Sequence, residues 1–231
     1  MVDITVGQDD LDGLLLRTTA GATAAGTIAV RQGREVPFRP EELQLFTMPQ
    51  GFVDLPVGRG TGRVGDDWSF EIESIGDAQL IRLIGLPDEW MLEAVLLNGQ
   101  DITDQPIHLP AGRVTDGFRI VVADQTTRLL AAVTNGDGES VPGSRVVIFP
   151  DDETRWVYPS RFVRTARTDQ RGVIDLERLP SAHYLAFATE SIPRGAETDP
   201  SFLERLRPHA TSFTLGAGET RDITIPLGEL P

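Results

Sequence analysis

Two residue types are missing from this chain altogether. It contains no cysteine, which removes disulfide frameworks, thiol nucleophiles, thiolate metal sites and redox switches. It contains no lysine either: all 21 basic residues are arginine. No Schiff base can therefore form, and no Lys-to-Asn isopeptide crosslink is available. Asparagine occurs only as Asn98 and Asn135. Positive charge is also scarce. The 21 arginines face 35 acidic residues, for a net charge of -14 at pH 7, and such a surface repels a phosphate backbone. Nucleic acid is not an expected partner. No apolar run reaches the ~18–20 residues of a membrane span, and Met1-Val2-Asp3 begins no charged-then-apolar secretion signal. The expectation is a chain that is not membrane-embedded, either cytoplasmic or cut from something longer.

What is abundant points to turns. There are 23 glycines and 16 prolines among 231 residues, more than a helical bundle needs. Between the turn residues lie short β-branched or aromatic runs: Phe118–Val122, Arg145–Phe149, Tyr184–Phe187 and Asp222–Ile225. Such runs, bounded by Gly, Pro, Asp or Asn, read as strands. Asn135-Gly136-Asp137-Gly138 reads as a hairpin turn, because Asn-Gly accepts positive φ at little cost. Short strands without long helices between them predict an antiparallel sandwich rather than a parallel sheet. One short helix is expected near residues 199–207. Asp199 is placed to cap it, Pro200 suits its first turn, Phe202, Leu203 and Leu206 share a face, and Pro208 ends it.

An internal repeat sets the domain count. Phe70–Ile75 and Leu80–Leu83 lie over Ile174–Leu179 and Tyr184–Phe187 at an offset of 104 positions. Upstream, Leu45-Phe46 lies over Ile148-Phe149 at 103, and Val36-Pro37 over Val141-Pro142 at 105. The parse is two tandem units, 21–115 and 116–231, with the join near Pro110 to Gly117. A smaller echo relates Gly7–Asp12 to Gly99–Asp104, so residues 1–20 read as a lead-in or the tail of a preceding repeat.

The second unit carries a family resemblance. Asn135–Val147, with its turn, Val-Pro-Gly and apolar strand, is followed by Thr168-Asp169-Gln170-Arg171-Gly172-Val173-Ile174-Asp175-Leu176 and by Leu179-Pro180-Ser181-Ala182-His183-Tyr184-Leu185. These segments resemble the carboxypeptidase regulatory-like domains, transthyretin-like β-sandwiches that also recur in tandem in large exported bacterial proteins. Ile174 and Ala182 depart from the family's usual Phe and Gly. The first unit resembles them less, through Trp68–Ile72 and Leu86–Trp90. The resemblance implies an all-β fold of two seven-stranded, prealbumin-like or Ig-like antiparallel sandwiches. It also implies non-catalytic modules with no cofactor, exported to the periplasm, cell surface or medium.

Chemistry-bearing residues are few. His108, His183 and His209 lie in three unrelated contexts without metal-ligand spacing. No Gly-x-Ser-x-Gly elbow occurs, and Gly58–Arg63 lacks the Lys of a phosphate loop. The acidic groups Asp9-Asp10, Asp66-Asp67 and Asp151-Asp152-Glu153 read as solvated loop charge, because neighbours on a strand point to opposite faces. Calcium is the candidate ion, with Asp137, Glu139 and Asp169 as candidate ligands, though a hairpin turn explains the same residues. Trp156 and Tyr158 alternate in Arg155–Pro159 and so are expected on one face of an extended segment. That face is either a carbohydrate platform or one that covers the sandwich core or docks on the first unit. Trp68 and Trp90 read as core. The arginines can pair bidentately with carboxylates, across the surface or the domain join. The joint depletion of Lys and Asn fits GC-rich coding, and that account is favoured. The expected role is a structural spacer or adhesion part of a larger exported protein, with neighbouring domains, other surface proteins or polysaccharide as partners. Carbohydrate binding through Trp156 and Tyr158 is the alternative.

Overall fold

The computed structural model describes residues 19–31, 35–51 and 59–231. The expected lead-in over residues 1–20 lies outside them but for its last two positions, as do the Gly7–Asp12 echo, Asp9-Asp10 and Gly58. Among the described residues the chain is built from strands, with one short α-helix.

In the first half the strands are β1 (Ala22–Val30), β2 (Gln44–Pro49), β3 (Thr61–Val64), β4 (Ser69–Ile75), β5 (Gln79–Ile84), β6 (Met91–Leu97), β7 (Gln100–Asp101) and β8 (Val114–Ala123). They make one sheet in the order β5-β2-β3-β4-β1-β8-β6-β7. The two layers of a sandwich are continuous here because β3 pairs on both edges, with β2 and with β4. The sheet curls around a single core that takes Ile28, Leu45, Ile72, Ile81, Val95 and Ile120 from six different strands. In β4 the burial alternates strictly from Ser69 to Glu73, with Phe70 and Ile72 inward and the two glutamates outward, the pattern of a sheet wet on one side.

The second half contains β9 (Arg128–Thr134), β10 (Arg145–Pro150), β11 (Arg164–Arg167), β12 (Val173–Glu177), β13 (Ala182–Thr189), β14 (Thr211–Leu215) and β15 (Thr220–Pro226). Here the two layers separate, into β11-β10-β13-β14 and β12-β9-β15. Leu129, Val133, Val146, Ile148, Ile174 and Tyr184 fill the space between them. The opposite face of the four-stranded sheet is also covered. Val147 and Phe149 of β10 and Leu185 and Phe187 of β13 pack against Phe202, Leu203 and Leu206 of α1 (Pro200–Leu206). Burial on both faces explains why β10 and β13 read as unbroken apolar runs. The helix forms as expected: the Asp199 side chain accepts from Ser201 N at 2.9 Å, and Pro200 stands in its first turn.

Two features differ from the expected pairing. β1 with β8 and β9 with β15 run parallel. Each pair joins the first and last strands of its half, so the intervening chain serves as the long crossover that parallel neighbours need. At the β1–β8 contact a Cβ on Gly26 would fall 2.0 Å from the Phe118 carbonyl oxygen, so only glycine permits that approach. The second difference concerns the expected join at Pro110 to Gly117. β8 begins within it at Val114 and continues to Ala123, bonded to β1 and β6, so Phe118–Val122 belongs to the eight-stranded sheet.

Candidate functional site

A buried set of charged contacts lies where the two halves meet. Its centre is Asp104, just beyond β7. Asp101 Oδ1 accepts from Thr103 N at 2.9 Å and also from the Thr103 hydroxyl, and Thr103 Oγ1 in turn accepts from Val95 N at 2.8 Å. This braces the turn that presents Asp104. From β5, Arg82 donates to Thr103 O at 2.7 Å and to Asp104 Oδ1 at 3.2 Å. From the second half, Arg161 meets the same carboxylate bidentately, Nε to Oδ1 at 2.8 Å and Nη2 to Oδ2 at 2.7 Å, and its Nη1 donates to Leu92 O at 3.0 Å. The side chains of Arg82 and Arg161 are only 11% and 16% exposed.

Charge decides the protonation of this cluster. Burial alone would raise the Asp104 carboxyl pKa. The hydrogen bonds and charge of Arg161, with the charges of Arg82 and Arg155, outweigh it and hold the group below its ordinary value. Burial pushes Arg82 down to about 10, partly offset by Asp104. One carboxylate is thus shared by two guanidinium groups. Phe162, buried in the second core, lies under Arg155 at 4.5 Å and Arg161 at 5.8 Å, adding cation–π attraction.

Two further contacts cross the same boundary. Gly51 N donates to Tyr158 O at 2.7 Å. Arg178 donates to Pro87 O at 3.1 Å and to Asp88 Oδ1 at 2.9 Å. Arg178 itself stands at φ 63, a region that costs a non-glycine residue conformational energy. A cleft of about 710 Å³ runs along the junction, lined among others by Arg31, Glu93, Asp104, Arg155 and Arg161. Its arginines are each paired, Arg31 with Glu93, Arg155 with Asp152 and Arg161 with Asp104. The junction is thus a chemical clamp that fixes two surfaces against each other.

The residues singled out in the sequence fall elsewhere. Trp156 is 3% exposed, packs edge-on to Phe149 at 5.7 Å, donates from Nε1 to Pro150 O at 2.7 Å and lies under Arg207. Tyr158 is 41% exposed. The expected shared face is therefore corrected. Asp152 caps a 3-10 turn over Glu153–Arg155, and the chain leaves the extended conformation on which the alternation argument depends. Trp90 is core and Trp68 packs partly against it. Asn135 Oδ1 accepts from Asp137 N at 3.0 Å and Glu139 N at 2.9 Å, closing the hairpin turn. Asp169 accepts from Arg171 N and Val173 N, both at 2.9 Å, around Gly172 at φ 74. Among the described residues no three His, Asp or Glu side chains converge as a metal site. His108 pairs with Asp77 at 2.6 Å, His183 with Thr214 at 2.9 Å, and all three histidines are exposed. Asp151 and Glu153 are tied to Arg207, and Asp67 caps the turn at Ser69.

Arg82, Asp104, Arg161 and Arg178 were not distinguishable in the sequence. Each partner lies tens of residues away, and the only signal is the general capacity of Arg for bidentate pairing.

No family model matches the chain, and no curated protein matches it. Among solved structures, it is similar to GBS52, the minor pilin of Streptococcus agalactiae, at 12% identity and TM-score 0.36, over 90% of this chain and 98% of that one. Its likeness to the Bacillus anthracis TIE protein has 11% identity and TM-score 0.30, over 90% of this chain and 33% of that one. The chain thus spans a third of the length of the TIE protein. Its likeness to catechol 1,2-dioxygenase of Acinetobacter sp. ADP1 has 14% identity and TM-score 0.26, and covers 44% of this chain and 52% of that one. Likenesses at these scores carry no argument about function.

Proposed function

We propose that the chain is a tandem of two copies of one β-sandwich module, of the carboxypeptidase regulatory-like kind, serving without catalysis as a rigid spacer or adhesion part of a larger exported bacterial protein. The observation that carries this reading is the Asp104–Arg161–Arg82 cluster, which bonds the halves across their junction. A spacer needs a fixed separation, and a bidentate pair sets orientation as well as distance.

Matched pairing supports the two-copy part. β1 is flanked by β4, antiparallel, and β8, parallel; β9 is flanked by β12, antiparallel, and β15, parallel. β2 lies between β3 and β5, as β10 lies between β11 and β13. These are the strands that the 104-position offset superposes, β4 on β12 and β5 on β13. On this reading the first copy ends at Ala123 and the second begins at Arg128. The separate cores of the halves support the same division. Among the described residues no helix is long and apolar enough to cross a membrane.

Small-angle X-ray scattering from the purified chain tests the spacer. A single separation between the halves, unchanged from low to physiological salt, is the expected result. A profile that requires a broad mixture of separations would overturn it. Clear esterase, peptidase or glycosidase turnover, abolished by one His or Asp substitution, would overturn the non-catalytic part.

A further inference from the structure

Burial depresses the basicity of two guanidinium groups among the described residues, Arg82 and Arg164. Arg82 has Asp104 beside it. Arg164 has no carboxylate within ion-pair distance among the described residues. Its Nη1 donates only to the carbonyl oxygens of Ser160 and Val163, both at 3.1 Å. The cation acting on it is another guanidinium, Arg161. A half-buried cation without a counter-charge is unfavourable, and an arriving anion relieves it.

A cavity of about 280 Å³ opens beside this group. Tyr158, 41% exposed, gives it an aromatic surface, with the buried Trp156 also in its lining. The Ser160 and Thr198 hydroxyls donate to Arg155 O and Gly195 O and keep acceptor capacity, and Glu197 adds an acceptor-only group. The volume lies near the low end of ligand pockets, about 300–1,000 Å³, and suits one ring rather than an extended chain. An aromatic surface, acceptor oxygens for ring hydroxyls and one guanidinium are together the complement of a sugar ring that bears a carboxylate. A peptide adding as a strand is the less apt occupant. The neighbouring edge strand β11 has four residues and is bracketed by Arg164 and Arg167, a short, charged edge of the type that resists strand addition. The net charge of -14 opposes an acidic ligand at a distance. At physiological salt that field is screened beyond about 8 Å, so contact with Arg164 decides.

The geometry points to the cavity between Arg164 and Tyr158 as a binding site for a uronic acid unit of an acidic polysaccharide. The carboxylate pairs with Arg164, the ring lies along Tyr158, and Trp156 acts as buried support rather than as an exposed platform.

Titration calorimetry on the full chain tests this with tetragalacturonate, neutral maltotetraose and tetraglutamate. Saturable binding of tetragalacturonate alone is expected, weakened roughly tenfold or more by Arg164→Gln, the loss of a charge-assisted contact. Circular dichroism checks that this variant folds. Should it not, Tyr158→Ala decides, since that side chain is 41% exposed and its truncation leaves the backbone bond to Gly51 in place; weaker binding is again expected. Three results would each overturn the site: no tetragalacturonate binding at millimolar concentration, equal binding of maltotetraose or tetraglutamate, or affinity untouched by the variants.

Discussion

A carboxylate placed between two poorly exposed guanidiniums does more than either ion pair alone, because removing it leaves two cations facing each other. Asp104 is such a group. Replacing it by Asn should destabilise the chain by about 3 kcal/mol, the low end of the cost of leaving a buried charge unpaired; urea unfolding at pH 7 measures this. The pH dependence has a definite sign. Because the folded-state pKa of Asp104 lies below its unfolded value, its contribution is present above about pH 4 and is lost as pH falls through the folded value. The stability gap between wild type and Asp104→Asn should therefore close on acidification below about pH 4. A gap that stays constant down to pH 2.5 would sink the assignment. At this scale the sequence was legible where a residue acts on its near neighbours. Asn135, Asp169 and Asp199 bond amides two to four positions away, so turn and cap chemistry announces itself. Asp104 answers to Arg161, 57 positions on, and nothing local marks either.

The elements divide by how many faces they bury. β4 alternates because one face meets water, and β10 does not because α1 covers its outer face. The helix is short, so its stability rests on packing rather than on helix propensity. Phe202→Ala should cost about 3–5 kcal/mol and lower the thermal midpoint. Asp199→Ala should cost about 1 kcal/mol, with near-native strand signal in the far-ultraviolet spectrum. Equal costs for the two would contradict a packing-dominated helix. Existence and type of most elements were readable here: the strands at Phe118–Val122, Arg145–Phe149, Tyr184–Phe187 and Asp222–Ile225 and the Asp199-capped helix all form. The Trp156–Tyr158 segment was misread because period-two reasoning holds only in extended chain, and the cap at Asp152 turns the backbone just before it.

For the whole molecule the question is what holds the halves in register. Arg161 and Arg178 carry the side-chain contacts across the boundary described above. The double variant Arg161→Ala and Arg178→Gly should keep its strand signal while its radius of gyration rises and its scattering profile broadens. Glycine at 178 accepts φ 63 without strain, so any change reflects the lost bridge. An unchanged profile would mean that the halves are held by something other than these arginines. Apolar runs, turn residues and caps settle the all-β class and the place of most strands, since each is a property of a few consecutive residues. The sharing of Asp104 by two arginines, the continuity of eight strands into one sheet and the burial of Trp156 come from contacts between distant segments. Charge and shape complementarity across such distances leave no periodic trace in a chain, so those features exist only once it has folded.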